Sequence, residues 1–307
     1  MRPRHLITAK EFASKEALNG IFESAKGMET AVAERKPLNN CAGKILATVF
    51  YEPSTRTRFS FETAMYKLGG DVITSENAAE FSSAKKGESI EDAIRVISDY
   101  ADAIVLRHPS AGAAETASRA SLVPVINAGS GSDEHPTQAL LDLYTIEKEL
   151  GKIDDLSIAF VGDLRFGRTV HSTIYLLPAY RGVKVYLISP EELQLPEEYK
   201  TYLKEHGIPF EELKDIKEAV RRVDVLSITR VQQERFASRE EYEKLKGSYV
   251  IDNAVLQELK DRAIIMHPLP RIDEIAKEVD GDVRAAYFRQ TKNGIYVRMA
   301  LLKMILA

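Results

Sequence analysis

Residues 51–70 read YEPSTRTRFSFETAMYKLGG, and Ser54, Thr55, Arg56, Thr57 and Arg58 stand side by side in them, just after the apolar run KILATVFY (44–51). Phe61, Ala64, Met65 and Leu68 keep the i, i+3, i+4, i+7 spacing of a helix face, and Gly69-Gly70 ends it. The run therefore opens a helix, with Ser54 expected as its N-cap. The first turn of a helix carries backbone N–H groups without intrahelical partners and the positive end of the peptide dipole. Hydroxyls and a guanidinium added there make a cradle for a phosphate or carboxylate. Each charge-assisted hydrogen bond in such a cradle contributes roughly 1.5–3 kcal/mol. Arg58 has a nearer partner, Glu62, at i+4 on the same helix face.

Other polar clusters punctuate the chain in the same way: RHP (107–109), NAGSG (127–131), GDLRFGRT (162–169), TRVQQER (229–235) and HPLPR (267–271). Nearly all follow a short β-branched run directly. Arg56, Arg107, Arg168, Arg230 and Arg271 sit at these places although the net charge is −4, so they are local features and not part of a basic surface. A site lined by them suits a ligand with several negative charges. His135 and Gln138, one helical turn apart in HPTQ, start a helix whose first turn takes Pro136.

The elements that must hold these groups alternate. Strand candidates fall at 44–51, 71–75, 103–107, 123–127, 156–162, 183–189, 223–229, 249–253 and 263–267, with amphipathic stretches between them. That alternation is the pattern of an α/β protein with two doubly wound parallel-sheet domains. Residues 136–150 read as a long helix joining the halves, and NGIYVRMALLKMIL near the C-terminus has an apolar face expected to pack back on the fold. Ligands bind at the carboxyl ends of such strands, so two halves face to face make one cleft lined from both sides.

Composition narrows the class. The chain has 307 residues, 44% hydrophobic and 29% charged, which suits two domains of ordinary size. The acidic balance argues against a nucleic-acid binder. The single cysteine, Cys41, points to a reducing compartment, and no CxxC or HxxxH spacing suggests a metal. The N-terminus lacks the apolar core of a signal peptide, and the apolar tail MALLKMILA is too short to span a bilayer. A cytosolic protein without membrane contact is expected. GDLRFGRT is one substitution from a phosphate-binding P-loop (Walker A), with Asp252 at the end of the apolar run YVID placed as its Walker B acid would be. Its Arg168 and bulky Leu164 and Phe166 fit that role poorly.

The ordered set STRTR, RHP, HPTQ, GDLRFGRT, TRVQQER and HPLPR resembles the transcarbamoylases over essentially the whole chain, and most closely the catalytic chains of aspartate carbamoyltransferase. The resemblance implies transfer of the carbamoyl group of carbamoyl phosphate to the amine of L-aspartate, an early step of pyrimidine synthesis, without cofactor or metal. It implies a carbamoyl-phosphate domain over 1–135 plus 292–307 and an aspartate domain over 136–291, with the active-site cleft between them. By the same resemblance Ser54, Thr55, Arg56 and Thr57 hold phosphate. Thr57, Arg107 and His135 meet the carbonyl oxygen, with Gln138 near the carbamoyl nitrogen. Pro268 and Leu269 offer backbone carbonyls to the carbamoyl amide and the incoming amine. Arg168 takes the α-carboxylate of aspartate, and Arg230 with Gln232 the side-chain carboxylate, with Glu234 orienting Arg230 and Arg235 acting in closure. Ser82 and Lys86 would reach the site from a neighbouring subunit, which implies a homotrimer with shared sites. Read without the resemblance, SSAKKGES (82–89) is a solvated loop. Whether a separate regulatory chain also binds is left open, as is the proton acceptor, for which Lys86, His135 and the departing phosphate compete. His267 and Arg271 read as structural. An ornithine carbamoyltransferase is the nearest alternative, but a pocket lined by Arg168 and Arg230 repels a second amine. A non-catalytic anion-binding protein of the same fold is the other.

Overall fold

The computed structural model describes residues 5–81, 83–232, 236 and 238–307, so Ser82, Gln233, Glu234 and Arg235 lie outside the described residues. The chain divides into two compact units, Met1–Leu141 with Lys292–Ala307, and Asp142–Thr291. The division falls inside the helix Pro136–Leu150, whereas the sequence reading sets it at the start of that helix.

The first unit is built on four parallel strands, β1 (Ile45–Phe50), β2 (Asp71–Glu76), β3 (Ala103–His108) and β4 (Val125–Ser130), in the order β2-β1-β3-β4. Ala47, Val49, Ile104, Leu106 and Val125 pack into one buried cluster with Ile94 and Ala117 from the flanking helices. Strand order reverses at β1, which has β2 on one side and β3 on the other. The second unit carries β5 (Ser157–Gly162), β6 (Lys184–Ile188), β7 (Phe210–Leu213), β8 (Val225–Thr229) and β9 (Ile264–Met266), in the order β7-β6-β5-β8-β9. All its pairings are parallel, and its order reverses at β5. Ligand crevices in such sheets open at the carboxyl ends beside the reversal. Here those ends carry STRTR and RHP in one unit, and GDLRFGRT and TRVQ in the other.

Two expectations need correction. The run 249–253 forms no strand: Ile251 makes one bridge to Ile275, and Asp252 caps the helix Asn253–Glu258, accepting the N–H groups of Ala254 and Val255 at 2.9 and 3.0 Å. Conversely β7 escapes sequence reading because FEEL lacks an apolar alternation. It lies at a sheet edge, where Glu211 pairs with Arg222 at 2.7 Å and Glu212 with Lys200 at 2.7 Å.

The C-terminal helix Tyr287–Leu306 enters the first unit, as its apolar face suggests, with Val297, Met299, Leu301 and Leu302 buried. Its buried Arg298 donates to the Ser60 hydroxyl at 2.7 Å and lies 5.0 Å over the Phe61 ring, holding the helix that STRTR opens.

Gly162 ends β5 at φ +109°, and a Cβ there would stand 2.1 Å from the Thr229 carbonyl oxygen of β8. Gly162→Ala is therefore expected to cost about 2–5 kcal/mol of stability by backbone strain and overpacking. Urea unfolding measures this; a loss below about 1 kcal/mol would contradict so close an approach of β5 and β8.

Candidate active site

In the first unit, strand register brings the expected groups to one end of the sheet. Phe50 pairs with Arg107, the Tyr51 N–H donates to the Arg107 carbonyl at 2.8 Å, and His108 pairs with Ser130. The helix Thr55–Lys67 begins there. Ser54 occupies the N-cap position but its side chain makes no capping bond, contrary to the expectation, so the first-turn N–H groups are not taken up by a cap. Thr55 and Arg56 are exposed, Ser54 half-buried and Thr57 buried. Arg58 turns away to Glu62 (3.4 Å) and Glu76 (2.8 Å), as its i+4 spacing suggests for the first of these.

Arg107 is largely buried and forms an ion pair with Glu52 at 3.4 Å, while its guanidinium donates to the Ala128 carbonyl at 3.4 Å. Sequence reading passed over Glu52. Its signal is position, two residues after the end of β1, where Phe50 stands opposite Arg107. His135 and Gln138 are buried at the start of the helix Pro136–Leu150. The turn before them folds back on β4, where the Ser130 N–H donates to the Glu134 carbonyl at 3.2 Å. The Glu134 carboxylate accepts from the Thr8 hydroxyl (2.5 Å) and the Ala9 N–H (2.8 Å), tying the residue before His135 to the N-terminal segment. Lys86 ends the short 3-10 turn Ser83–Lys86 and is exposed.

The second unit gathers the other set. Arg168 opens the helix Arg168–Leu176 with Gly167 at the cap position, so a second uncapped helix start carries an arginine. TRVQ is bonded to this turn: the Gln232 amide donates to the Phe166 carbonyl at 2.9 Å and approaches Asp163 Oδ2 at 3.5 Å, and the Thr229 hydroxyl donates to the Asp163 carbonyl at 3.2 Å. The Phe166 N–H donates to Asp163 Oδ1 at 2.9 Å. A loop whose N–H groups already face an internal carboxylate is not arranged as a P-loop, and Asp252 is engaged as a helix cap. Arg230 lines a shallow groove with Tyr242, Lys246, Tyr249 and Glu274. Pro268 and Leu269 are half-buried after β9, with Leu269 at φ +55°. Arg271 pairs with Asp280 and donates to the Tyr287 hydroxyl at 3.0 Å. Among the described residues no group of His, Cys, Asp and Glu is placed to hold a metal ion, and no helix is long and apolar enough to cross a membrane.

Asp163 is the main residue of this half that sequence reading missed, although it stands in GDLRFGRT. Burial raises its carboxyl to about 6, against the N–H donors of Phe166 and Gln232 that pull it down. A native pKa above the unfolded value means the folded state binds the proton more tightly. The burial penalty is thus absent below about pH 4, grows as pH rises towards 6, and is complete above it. Relative to the unmodified protein, D163N should gain about 3 kcal/mol of stability between about pH 4 and about pH 7. Urea unfolding at both pH values reads it, and a pH-independent difference would contradict the assignment.

Comparison with known proteins accords with this geometry. The family model described as aspartate/ornithine carbamoyltransferase, carbamoyl-P binding domain, matches residues 4–148, and the corresponding Asp/Orn binding domain matches residues 154–305. The aspartate carbamoyltransferase catalytic subunit of Methanocaldococcus jannaschii is 54% identical over 303 residues, 99% of this chain and 98% of that protein. The chloroplastic aspartate carbamoyltransferase of Arabidopsis thaliana is 51% identical over 302 residues, 98% of this chain and 77% of the plant protein. The crystal structure of the M. jannaschii catalytic subunit superposes with a TM-score of 0.90 at 53% identity, covering 100% of this chain and 98% of that one. The aspartate transcarbamoylase of Trypanosoma cruzi in complex with carbamoyl phosphate superposes with a TM-score of 0.94 at 38% identity, covering 100% and 97%. With both halves of the chain matched and both sets of strand-end groups in place, the chain belongs to the aspartate/ornithine carbamoyltransferase family.

Proposed function

We propose that the chain transfers the carbamoyl group of carbamoyl phosphate to the amine of L-aspartate, giving N-carbamoyl-L-aspartate and phosphate in pyrimidine biosynthesis. The observation that carries this reading is the pair of helix starts with arginines, at Arg56 after β1 and at Arg168 after β5, each beside a second strand-end arginine, Arg107 or Arg230. One pair suits the phosphate and carbonyl oxygen of the donor and the other the two carboxylates of the acceptor. Ornithine would bring an ammonium group to a place where aspartate brings a carboxylate, and like charges there cost several kcal/mol.

The chemistry follows from these groups. Ser54, Thr55, Arg56 and Thr57 hold the phosphate, and Thr57, Arg107 and His135 stabilise the carbonyl oxygen as it gains charge. Gln138 and the Pro268 and Leu269 carbonyls orient the carbamoyl nitrogen and the amine. The amine nitrogen bonds to the carbonyl carbon, the carbon–oxygen bond to phosphate breaks, and the departing phosphate takes the amine proton. Arg107 exchanges Glu52 for substrate on binding. Gln232 acts partly through the Phe166 turn that also carries Arg168.

Lys86, with Ser82, completes the site of a neighbouring subunit in a homotrimer. Support for assembly comes from the first unit, where the edge strand β2 and the helix Thr55–Lys67 leave Ile73, Phe59 and Tyr66 41%, 51% and 59% exposed. Unpaired strand edges and clustered apolar side chains mark association surfaces.

His135→Ala is expected to lower kcat about 100- to 1,000-fold, as the loss of an oxyanion donor does. Arg230→Met should lower kcat/KM for aspartate by a similar order while leaving inhibition by inorganic phosphate within a few-fold. Steady-state kinetics checks both, and an unchanged aspartate dependence in Arg230→Met would contradict the carboxylate assignment. The protein should sediment with the mass of three chains. Mixing Lys86→Ala with Arg230→Met subunits should give more activity than either variant alone; no gain after confirmed exchange would contradict a shared site.

A further inference from the structure

His267 reads as structural from sequence, and it is indeed 1% exposed, but its hydrogen bonds end on a residue of the site. Its Nδ1 accepts the backbone N–H of Leu269 at 2.7 Å. A ring nitrogen that accepts carries no proton, so the proton of the neutral imidazole lies on Nε2. Nε2 then donates to Glu274 Oε1 at 2.8 Å. The other Glu274 oxygen accepts the N–H groups of Ile272 and Asp273, both at 3.1 Å, so the carboxylate faces donors on both sides. The backbone of His267 is fixed as well, because its N–H donates to Gln290 Oε1 at 3.0 Å and the Gln290 amide donates to Asp142 at 2.6 Å.

The same imidazole is held neutral. Burial lowers its pKa most, the Glu274 bond raises it, and the charges of Arg230 and Arg271 lower it again. Glu274 stays ionised, since the donors around it outweigh the burial that pushes its carboxyl up.

Leu269 is one of four described non-glycine residues with positive φ, at +55°, a conformation that costs a leucine about 1 kcal/mol or more. Something must hold it, and the bond to His267 Nδ1 acts directly on its N–H.

We infer that His267 and Glu274 form a positioning pair for carbamoyl transfer: Glu274 fixes the tautomer of His267, and His267 Nδ1 holds Leu269 in the left-handed conformation that aims its carbonyl at the reacting nitrogens. This rests on the function proposed above. Neither side chain touches substrate. Their effect passes through one backbone group, so it appears in the chemical step and not in phosphate binding, which belongs to the Ser54–Thr57 segment of the other unit.

Three substitutions separate this role from simple packing. Glu274→Gln keeps size and shape. Its amide oxygen accepts from Ile272 and Asp273, which turns its NH2 group towards His267 Nε2 and forces the ring proton onto Nδ1, against the Leu269 N–H. His267→Ala removes the acceptor. His267→Asn restores one, because an asparagine side chain accepts the N–H two residues on. In steady-state carbamoylation of L-aspartate, His267→Ala and Glu274→Gln should each lose kcat by about 10- to 100-fold, within the range for misplaced positioning groups. The inhibition constant for inorganic phosphate should stay within about two-fold, and His267→Asn should recover at least about half of the loss on a logarithmic scale. If His267→Ala does not fold, Glu274→Gln against His267→Asn makes the same comparison. Near-normal kcat in Glu274→Gln, or His267→Asn as slow as the other variants, would overturn the pair's role. Turnover by the unmodified chain shows that the underlying reading stands in that event, whereas no turnover by it overturns the reading and this inference together.

Discussion

The carboxyl end of a parallel strand is where the backbone can present hydrogen-bond donors to an anion, because the following helix starts there with its first N–H groups unpaired. The polar clusters STRTR, RHP, GDLRFGRT and TRVQ are arranged around that constraint. At β1 and at β5 the strand order reverses, so each sheet opens a crevice where two strand ends diverge. A helix start with an arginine stands at each, and the neighbouring strand, β3 or β8, delivers a second arginine. Residue-level register does the rest: Phe50 opposite Arg107 and Gly162 opposite Thr229 keep the paired ends level.

Gathering cations requires carboxylates that keep them oriented without neutralising the site. Glu52 engages Arg107, and Glu134 ties the approach to His135 to the N-terminal segment. Asp163 joins the Arg168 turn to Gln232 from a position with no solvent exposure, which is why its ionisation is costly. Glu274 plays a comparable part for His267 and Leu269. Each of these acids faces backbone or side-chain donors, as buried charges must.

Much of this was legible in the sequence. STRTR after an apolar run and Pro136 after His135 each announce a helix start, since local spacing and backbone preference decide those. The strands with β-branched runs were legible for the same reason. What escaped depends on neighbours distant in sequence. β7 is a strand only because β6 offers it an edge. The run 249–253 is not one because Asp252 finds two N–H groups to cap. Ser54 looked like a cap by type, but its side chain makes no such bond. His267 reads as structural in the sequence and Glu274, seven residues on, draws no reading at all, until the fold sets them 2.8 Å apart.

The central claim is that one pair of strand-end arginines reads carbamoyl phosphate and the other a dicarboxylate. Initial rates of carbamoyl-phosphate-dependent product formation, with L-aspartate and L-ornithine supplied in parallel to the unmodified protein, test it most directly. Turnover with aspartate and none with ornithine is the expected result. Turnover with ornithine, or with neither, would contradict it.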